Sequence, residues 1–148
     1  MIRKLENKDE EVSHSIRSVF QVSYAVEAKL LDAIDFPPLK RPLESYINSK
    51  NDFFGYFKNE VLAGVIEIKH HNTFTHIQSL VVNPEFFRQG IAQQLMTFAL
   101  KLYHSKPFMV ETGVKNKPAS DLYRKFNFIE IKQWDTDHGV RKVRFERQ

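Results

Sequence analysis

Leu80-Val81-Val82-Asn83-Pro84-Glu85-Phe86-Phe87-Arg88-Gln89-Gly90-Ile91-Ala92-Gln93-Gln94-Leu95 is the stretch on which the reading of this chain turns. An aliphatic run ends at an Asn-Pro pair, a short loop follows, and apolar residues then recur at helical spacing through Ile91, Leu95, Phe98 and Leu102. The pattern predicts a strand, a proline-bounded loop and a helix whose first turn holds Gly90 and Ala92. Unpaired N–H groups at a helix start, reinforced by the helix dipole, make a site for phosphate. Gly90 and Ala92 present little side chain, so a bulky anion can approach the backbone, and Arg88 adds positive charge at the mouth.

Upstream, helical spacing at Val12, Ile16, Val19, Phe20, Tyr24, Leu30, Leu31 and Ile34 predicts a long helix that Pro37 and Pro38 end near Phe36. A second short helix is expected after Pro42, through Tyr46 and Ile47. Ile2 to Leu5 reads as a short first strand. Phe53 to Phe57 and Val61 to Ile68, joined across Lys58-Asn59-Glu60, read as a hairpin. A turn at His71-Asn72-Thr73 leads into a strand from Thr75 to Val82. Downstream, Phe108 to Val114 reads as a buried strand, and Ala119, Leu122, Tyr123 and Phe126 mark a helix. Phe128 to Ile131 and Val140 to Phe145 close the chain as strands. Antiparallel strands followed by a strand–helix–strand–helix–strand run predict a mixed sheet of the α/β or α+β class, with about seven strands and about four helices.

The 148 residues contain no internal repeat, low-complexity run or linker-like stretch, so residues 1–148 are expected to form one domain. Apolar residues make up 42% and charged residues 27%, the balance of a folded chain. The lack of cysteine excludes thiolate nucleophiles, disulfides and cysteine-ligated zinc. No apolar run approaches the roughly 18 residues of a membrane span. Charges occupy the first eight residues, where a signal peptide needs an apolar core, so a cytoplasmic protein without membrane partners is expected. Net charge is +4, and Arg141, Lys142, Arg144 and Arg147 gather near the end against Glu146 alone. Such an end attracts polyanions, a phosphorylated cofactor included. No nucleic-acid-binding motif accompanies it, and a charged, solvated edge strand accounts for it without any nucleic-acid partner.

Two elements resemble the GNAT superfamily of N-acetyltransferases. Val82-x-Pro84 followed by Gly90-x-Ala92 and Leu95 is similar to its acetyl-CoA-binding motif, with no gap from Pro84 to Gly90. Phe87 stands where the family usually carries Arg or Gln. Asn116-Lys117-Pro118-Ala119-Ser120-Asp121-Leu122-Tyr123-Arg124-Lys125-Phe126-Asn127-Phe128 is similar to the family's Asn-x-x-Ala-x-x-Leu-Tyr-x-x-x-Gly-Phe stretch. Asn127 replaces Gly there, and Asn is the next-best residue at a left-handed helix C-cap. Tyr24-x-x-Glu27-Ala28 followed by Pro37-Pro38-Leu39 resembles uncharacterised bacterial members.

The resemblance implies acetyl-CoA as acyl donor, lying where the fourth and fifth strands splay apart. Its pantetheine would pair with the backbone of Leu80, Val81 and Val82, and its pyrophosphate would sit over Arg88, Gln89, Gly90, Ile91, Ala92 and Gln93. Asn116 is expected to hydrogen-bond the cofactor arm. A primary amine would attack the thioester directly, in a ternary complex, with no covalent enzyme intermediate and no metal. Tyr123 matches the family's general acid, a phenol that protonates the departing CoA sulfur. It also fits a plain core stripe with Ala119, Leu122 and Phe126. Glu111 lies where some members carry a catalytic Glu and is the favoured base; Glu67, His76, Gln78 and water are its rivals.

Tyr24, Glu27, Phe36 and Tyr46 are candidates for lining the acceptor pocket, with Glu27 placed to attract a cationic amine. His70, His71 and His76 surround one turn, but no carboxylate signature supports a zinc site there. The acceptor is expected to be a small-molecule or peptide amine, and a homodimer through the last strands is consistent with the family. The alternative reading is a non-catalytic acyl-CoA-binding or interaction module with the same fold.

Overall fold

The computed structural model describes residues 1–148 and contains seven strands: Ile2–Lys4 (β1), Asp52–Lys58 (β2), Val61–His70 (β3), Thr75–Val82 (β4), Phe108–Gly113 (β5), Ile129–Asp135 (β6) and Arg141–Arg147 (β7). Its helices are Glu10–Leu30 (α1), Leu43–Ile47 (α2), Ile91–Leu102 (α3) and Lys117–Lys125 (α4), with short 3₁₀ turns at Pro37–Lys40 and Pro84–Phe86. The strands form one sheet in the order β1-β2-β3-β4-β5-β7-β6. Every pairing is antiparallel except β4 with β5. This is the mixed sheet with four helices that the sequence predicts. None of the helices is long and apolar enough to cross a membrane.

Local chemistry sets the element ends. The Asp9 carboxylate caps α1, accepting from the N–H groups of Glu11 at 2.9 Å and Val12 at 3.3 Å, with Glu10 and Glu11 favourably placed in the first turn. The helix buries Ile16, Val19 and Phe20 against Phe53, Val65 and Val81. It stops at Leu30 rather than near Phe36, because the chain turns at Asp32 and Asp35, both with left-handed backbone (φ 51° and 49°). The turn carries Leu31 inward onto Phe36 and Val140. Leu31 approaches Gly113 so closely that a Cβ there would lie 2.4 Å from Leu31 Cδ2. On the opposite face, α3 and α4 pack on Ile66, Ile68, Ile77, Val110, Val143 and Phe145. Each such side chain contributes about 1.5–3 kcal/mol by leaving water.

The basic C-terminal strand is not at an edge, contrary to the sequence reading. β7 lies between β5 and β6, with Val143 and Phe145 buried, and β6 forms the outer edge. Strand order depends on pairings distant in sequence, which local charge does not report.

The parallel β4–β5 ladder has only three pairs, Thr75 with Phe108, His76 with Met109 and Ile77 with Val110. On the β3 side, Glu67 faces Ser79 while Ile68 faces Ile77, so Gln78 is an extra residue, a β-bulge. Bulges bend the strand that carries them. Here the bend falls where β4 parts from β5, leaving Gln78 to Val82 without a partner on that side.

Candidate functional site

A cavity of about 360 Å³ fills the fork between β4 and β5. Its floor is Ile77 to Leu80 of β4 and Val110 to Gly113 of β5. α1 roofs it with Phe20, Tyr24 and Glu27, and Asn116, Tyr123, His138 and Lys142 close the far end. Of the expected acceptor-pocket residues, Tyr24, Glu27 and Phe36 therefore line it. Tyr46 does not. It is fully buried beneath Arg41, whose guanidinium lies 4.1 Å from the ring centroid, and burial pushes its phenol up to about 12.

Polar groups converge on Glu27. Its Oε1 accepts from Asn116 Nδ2 at 2.8 Å. Burial outweighs this bond and the Lys142 charge, and lifts the Glu27 carboxyl to about 7. Tyr24 donates to Ser79 Oγ at 3.2 Å, and burial, followed by the Glu27 charge, raises its phenol far above the usual range. Tyr123 is raised by the same two causes. Its ring packs 5.8 Å from both Phe128 and Phe145, so the core stripe is real. Yet the residue also lines the cavity, and its hydroxyl has no hydrogen-bond partner in the chain. Core ring and functional hydroxyl are compatible roles for one residue.

Asn116 does more than the sequence suggests. As N-cap of α4 its Oδ1 accepts from the Ala119 N–H at 3.2 Å, while Nδ2 serves Glu27 and, at 3.4 Å, Thr112 Oγ1. A hydrogen bond to a cofactor arm would replace one of these. At the other end of α4, Asn127 has φ 68°, the left-handed C-terminal position foreseen for it.

The loop before α3 exposes backbone rather than side chains. None of the six N–H groups from Arg88 to Gln93 donates to a backbone acceptor. Arg88 and Gly90 both have left-handed backbone (φ 64° and 76°), a geometry that turns successive N–H groups toward one side. A Cβ on Gly90 would meet nothing within 4 Å, so the space over the helix start is open. The residues present thus fit a phosphate-bearing ligand, and Leu80, Val81 and Val82 bring the free edge of β4 up to the same loop. Gln89 and Gln93 are held by Lys58 and Lys125 respectively. Phe87 is exposed at 44%, so it does not fill the loop.

The base candidates separate clearly. Glu111 is half-buried and lines the cavity. Glu67 does not; it is fully buried and committed to Arg41 and Asn51. His76 sits in the paired part of β4, outside the cavity, and burial lowers its imidazole to about 4. Gln78, the bulge residue, reaches the cavity. The three histidines do not converge: His70 Nε2 lies 2.8 Å from Asp52 Oδ2 and His71 stacks on Phe74 at 4.3 Å. Among the residues missed, Arg41, His138 and Lys142 all line the cavity. No motif marks them, because each reaches the site through a turn or a distant strand.

The sequence profile of the family described as "Acetyltransferase (GNAT) domain" matches residues 28–148. The chain belongs to that family, and its sheet, split between β4 and β5, is the GNAT fold. A Bacillus subtilis relative, "UPF0157 protein YqkA", is 30% identical over 141 residues, covering 95% of this chain and 41% of that protein. An N-alpha-acetyltransferase of Sulfolobus acidocaldarius is 31% identical over 90 residues, 56% of this chain and 54% of that protein. The chain therefore spans about half the length of these curated relatives. In fold it matches the PaiA N-acetyltransferase of Thermoplasma acidophilum, solved in complex with coenzyme A, at TM-score 0.73 and 22% identity over 97% of this chain and 96% of that one.

Proposed function

We propose that residues 1–148 act as one acetyltransferase unit that moves an acetyl group from acetyl-CoA to a primary amine by direct attack in a ternary complex. The observation that carries this reading is the fork itself. An unpaired strand edge and six free N–H groups adjoin a cavity lined by ionisable side chains. On this reading Leu80, Val81 and Val82 pair with the pantetheine amides, and the N–H groups of Arg88 to Gln93 hold the pyrophosphate. Asn116 orders the cavity end of the cofactor arm. Tyr123 protonates the leaving sulfur: its hydroxyl stays protonated at neutral pH and has no competing partner. Tyr24 and Glu27 face the acceptor, and Glu111 is the second carboxylate within the cavity.

Peptide N-termini are the first acceptors to try, since the archaeal relative is named an N-alpha-acetyltransferase. Calorimetric titration with acetyl-CoA and with free CoA tests the donor site, and thiol release with amines then tests transfer. Micromolar binding and amine-dependent thiol release are expected. Binding without release from any amine would favour a non-catalytic acyl-CoA-binding module.

A further inference from the structure

We propose that the Glu27 carboxylate, held in place by the Asn116 side chain, takes the proton from the amine before it attacks the thioester. The proposal rests on the acetyltransferase reading above. Its ground is position. Glu27 and Glu111 are the two carboxylates that line the cavity, and they differ in how they are held. Glu27 Oε1 is fixed by Asn116 Nδ2 at 2.8 Å, and its second oxygen has no hydrogen-bond partner in the chain. Asn116 is in turn fixed as the N-cap of α4, the helix that carries Tyr123. Proton acceptor and proton donor are thus tied by one amide and about two turns of helix. No such tie holds Glu111. It stands opposite Arg144 in the β5–β7 register, and the Arg144 guanidinium turns instead to Glu146 at 2.8 Å.

The groups facing Glu27 come from every side of the cavity. They are Tyr24 on its own helix, Ser79 on β4, Glu111 on β5, Asn116 and Tyr123 around α4, Lys142 on β7 with His138 in the turn before it, and Arg41, itself paired to Glu67. Only the Asn116 bond and the Lys142 charge hold the carboxyl down; burial prevails, and at about 7 the group is half ionised at neutral pH. That poise suits a group that must both accept and release a proton in each turnover.

The balance is complete without another reactant. The ammonium gives one proton to Glu27, and the freed lone pair forms the N–C bond at the acetyl carbonyl. The C–S bond breaks with its electrons on sulfur. Tyr123 gives its proton to that sulfur and regains one from the nitrogen, and Glu27 returns its proton to water. The products are the amide, CoA thiol and one proton.

The test compares wild type, Glu27→Gln and Glu111→Gln. Gln at 27 still accepts from Asn116, so a purely structural role for Glu27 predicts no loss. Without any ligand, infrared titration of the protonated-carboxyl band should show a group titrating near pH 7 in wild type and Glu111→Gln but not in Glu27→Gln. With acetyl-CoA and either an alanyl peptide or spermidine, kcat/KM by thiol release should fall about a hundredfold in Glu27→Gln, and the limb on the acid side should flatten. Unchanged rate and limb in Glu27→Gln, or their loss in Glu111→Gln alone, overturns the assignment while leaving the acetyltransferase reading intact. A wild type that releases no thiol with either amine overturns the acetyltransferase reading, and the proposal with it.

Discussion

The guanidinium of Arg41 meets the carboxylate of Glu67 edge to edge, Nη1 to Oε1 at 2.8 Å and Nη2 to Oε2 at 3.0 Å. Asn51 gives the same carboxylate a third bond at 2.8 Å. The pair stands between the cavity and a second, wholly polar pocket that also includes Lys69 and Gln78. Glu67 is fully buried, so removing its cation leaves an uncompensated charge. Arg41→Ala should lower unfolding stability by about 3–5 kcal/mol. Arg41→Lys should recover only part of this, because an ammonium cannot make two parallel bonds. Urea unfolding at pH 7 measures both; equal midpoints for wild type and Arg41→Ala would show that the pair braces nothing.

Tyr123→Phe removes a hydroxyl that has no partner in the chain and leaves a ring that packs against Phe128 and Phe145. Stability should therefore hold, since no hydrogen bond is lost. If the phenol delivers the sulfur's proton, kcat should drop at least about tenfold with acetyl-CoA affinity nearly unchanged. An unaltered kcat with a working acceptor would remove Tyr123 from the chemistry.

Glu27 should leave a mark on stability as well as on rate. Its folded carboxyl, at about 7, lies above the ordinary 4.5. The folded state therefore binds the proton more tightly than the unfolded chain. Glu27's contribution to stability is greatest below the unfolded value and is lost as pH rises through about 7, by up to about 3 kcal/mol. Glu27→Gln abolishes this decline. Thermal melts of the two proteins should agree at pH 4 and separate by pH 8, with the variant the more stable. Parallel curves would mean that Glu27 is not desolvated.

Gly90→Val places a β-branched residue at φ 76°, where L-residues are strained by about 1–3 kcal/mol, and projects a side chain into the open space over α3. Acetyl-CoA affinity should fall more than about tenfold while circular dichroism shows the fold retained. Undiminished affinity would place the pyrophosphate elsewhere.

Much of this architecture is legible in the sequence because local chemistry dictates it. β4 has the bounds read for it, the Lys58-Asn59-Glu60 hairpin forms with φ 50° and 67° at Asn59 and Glu60, and Asn127 takes its left-handed cap. The end of α1 was not legible. Ile34 continues the helical spacing, but burial of Leu31 against Gly113 and Phe36 outweighs one more turn of helix. Nor was β7's interior place, which needs pairing to β5 and β6 at once. The site divides in the same way. The anion loop and Tyr123 lie within motifs, whereas Glu27 meets Asn116 across 89 residues, a contact no local pattern announces.

The sheet is really two half-sheets, β1–β4 and β5–β7–β6, joined by three residue pairs above the Gln78 bulge. A seam so short should be the first to breathe, and hydrogen exchange should be fastest in the amides of β4 that face the fork. A molecule bridging the free edge of β4 and the start of α3 would act as a clamp across it. At a hundred times its dissociation constant it would add about 2.7 kcal/mol. Any substitution that zipped the ladder past Ile77 would stiffen the protein and shut the mouth by which the clamp enters. Rigidity and access compete here for the same five residues, Gln78 to Val82.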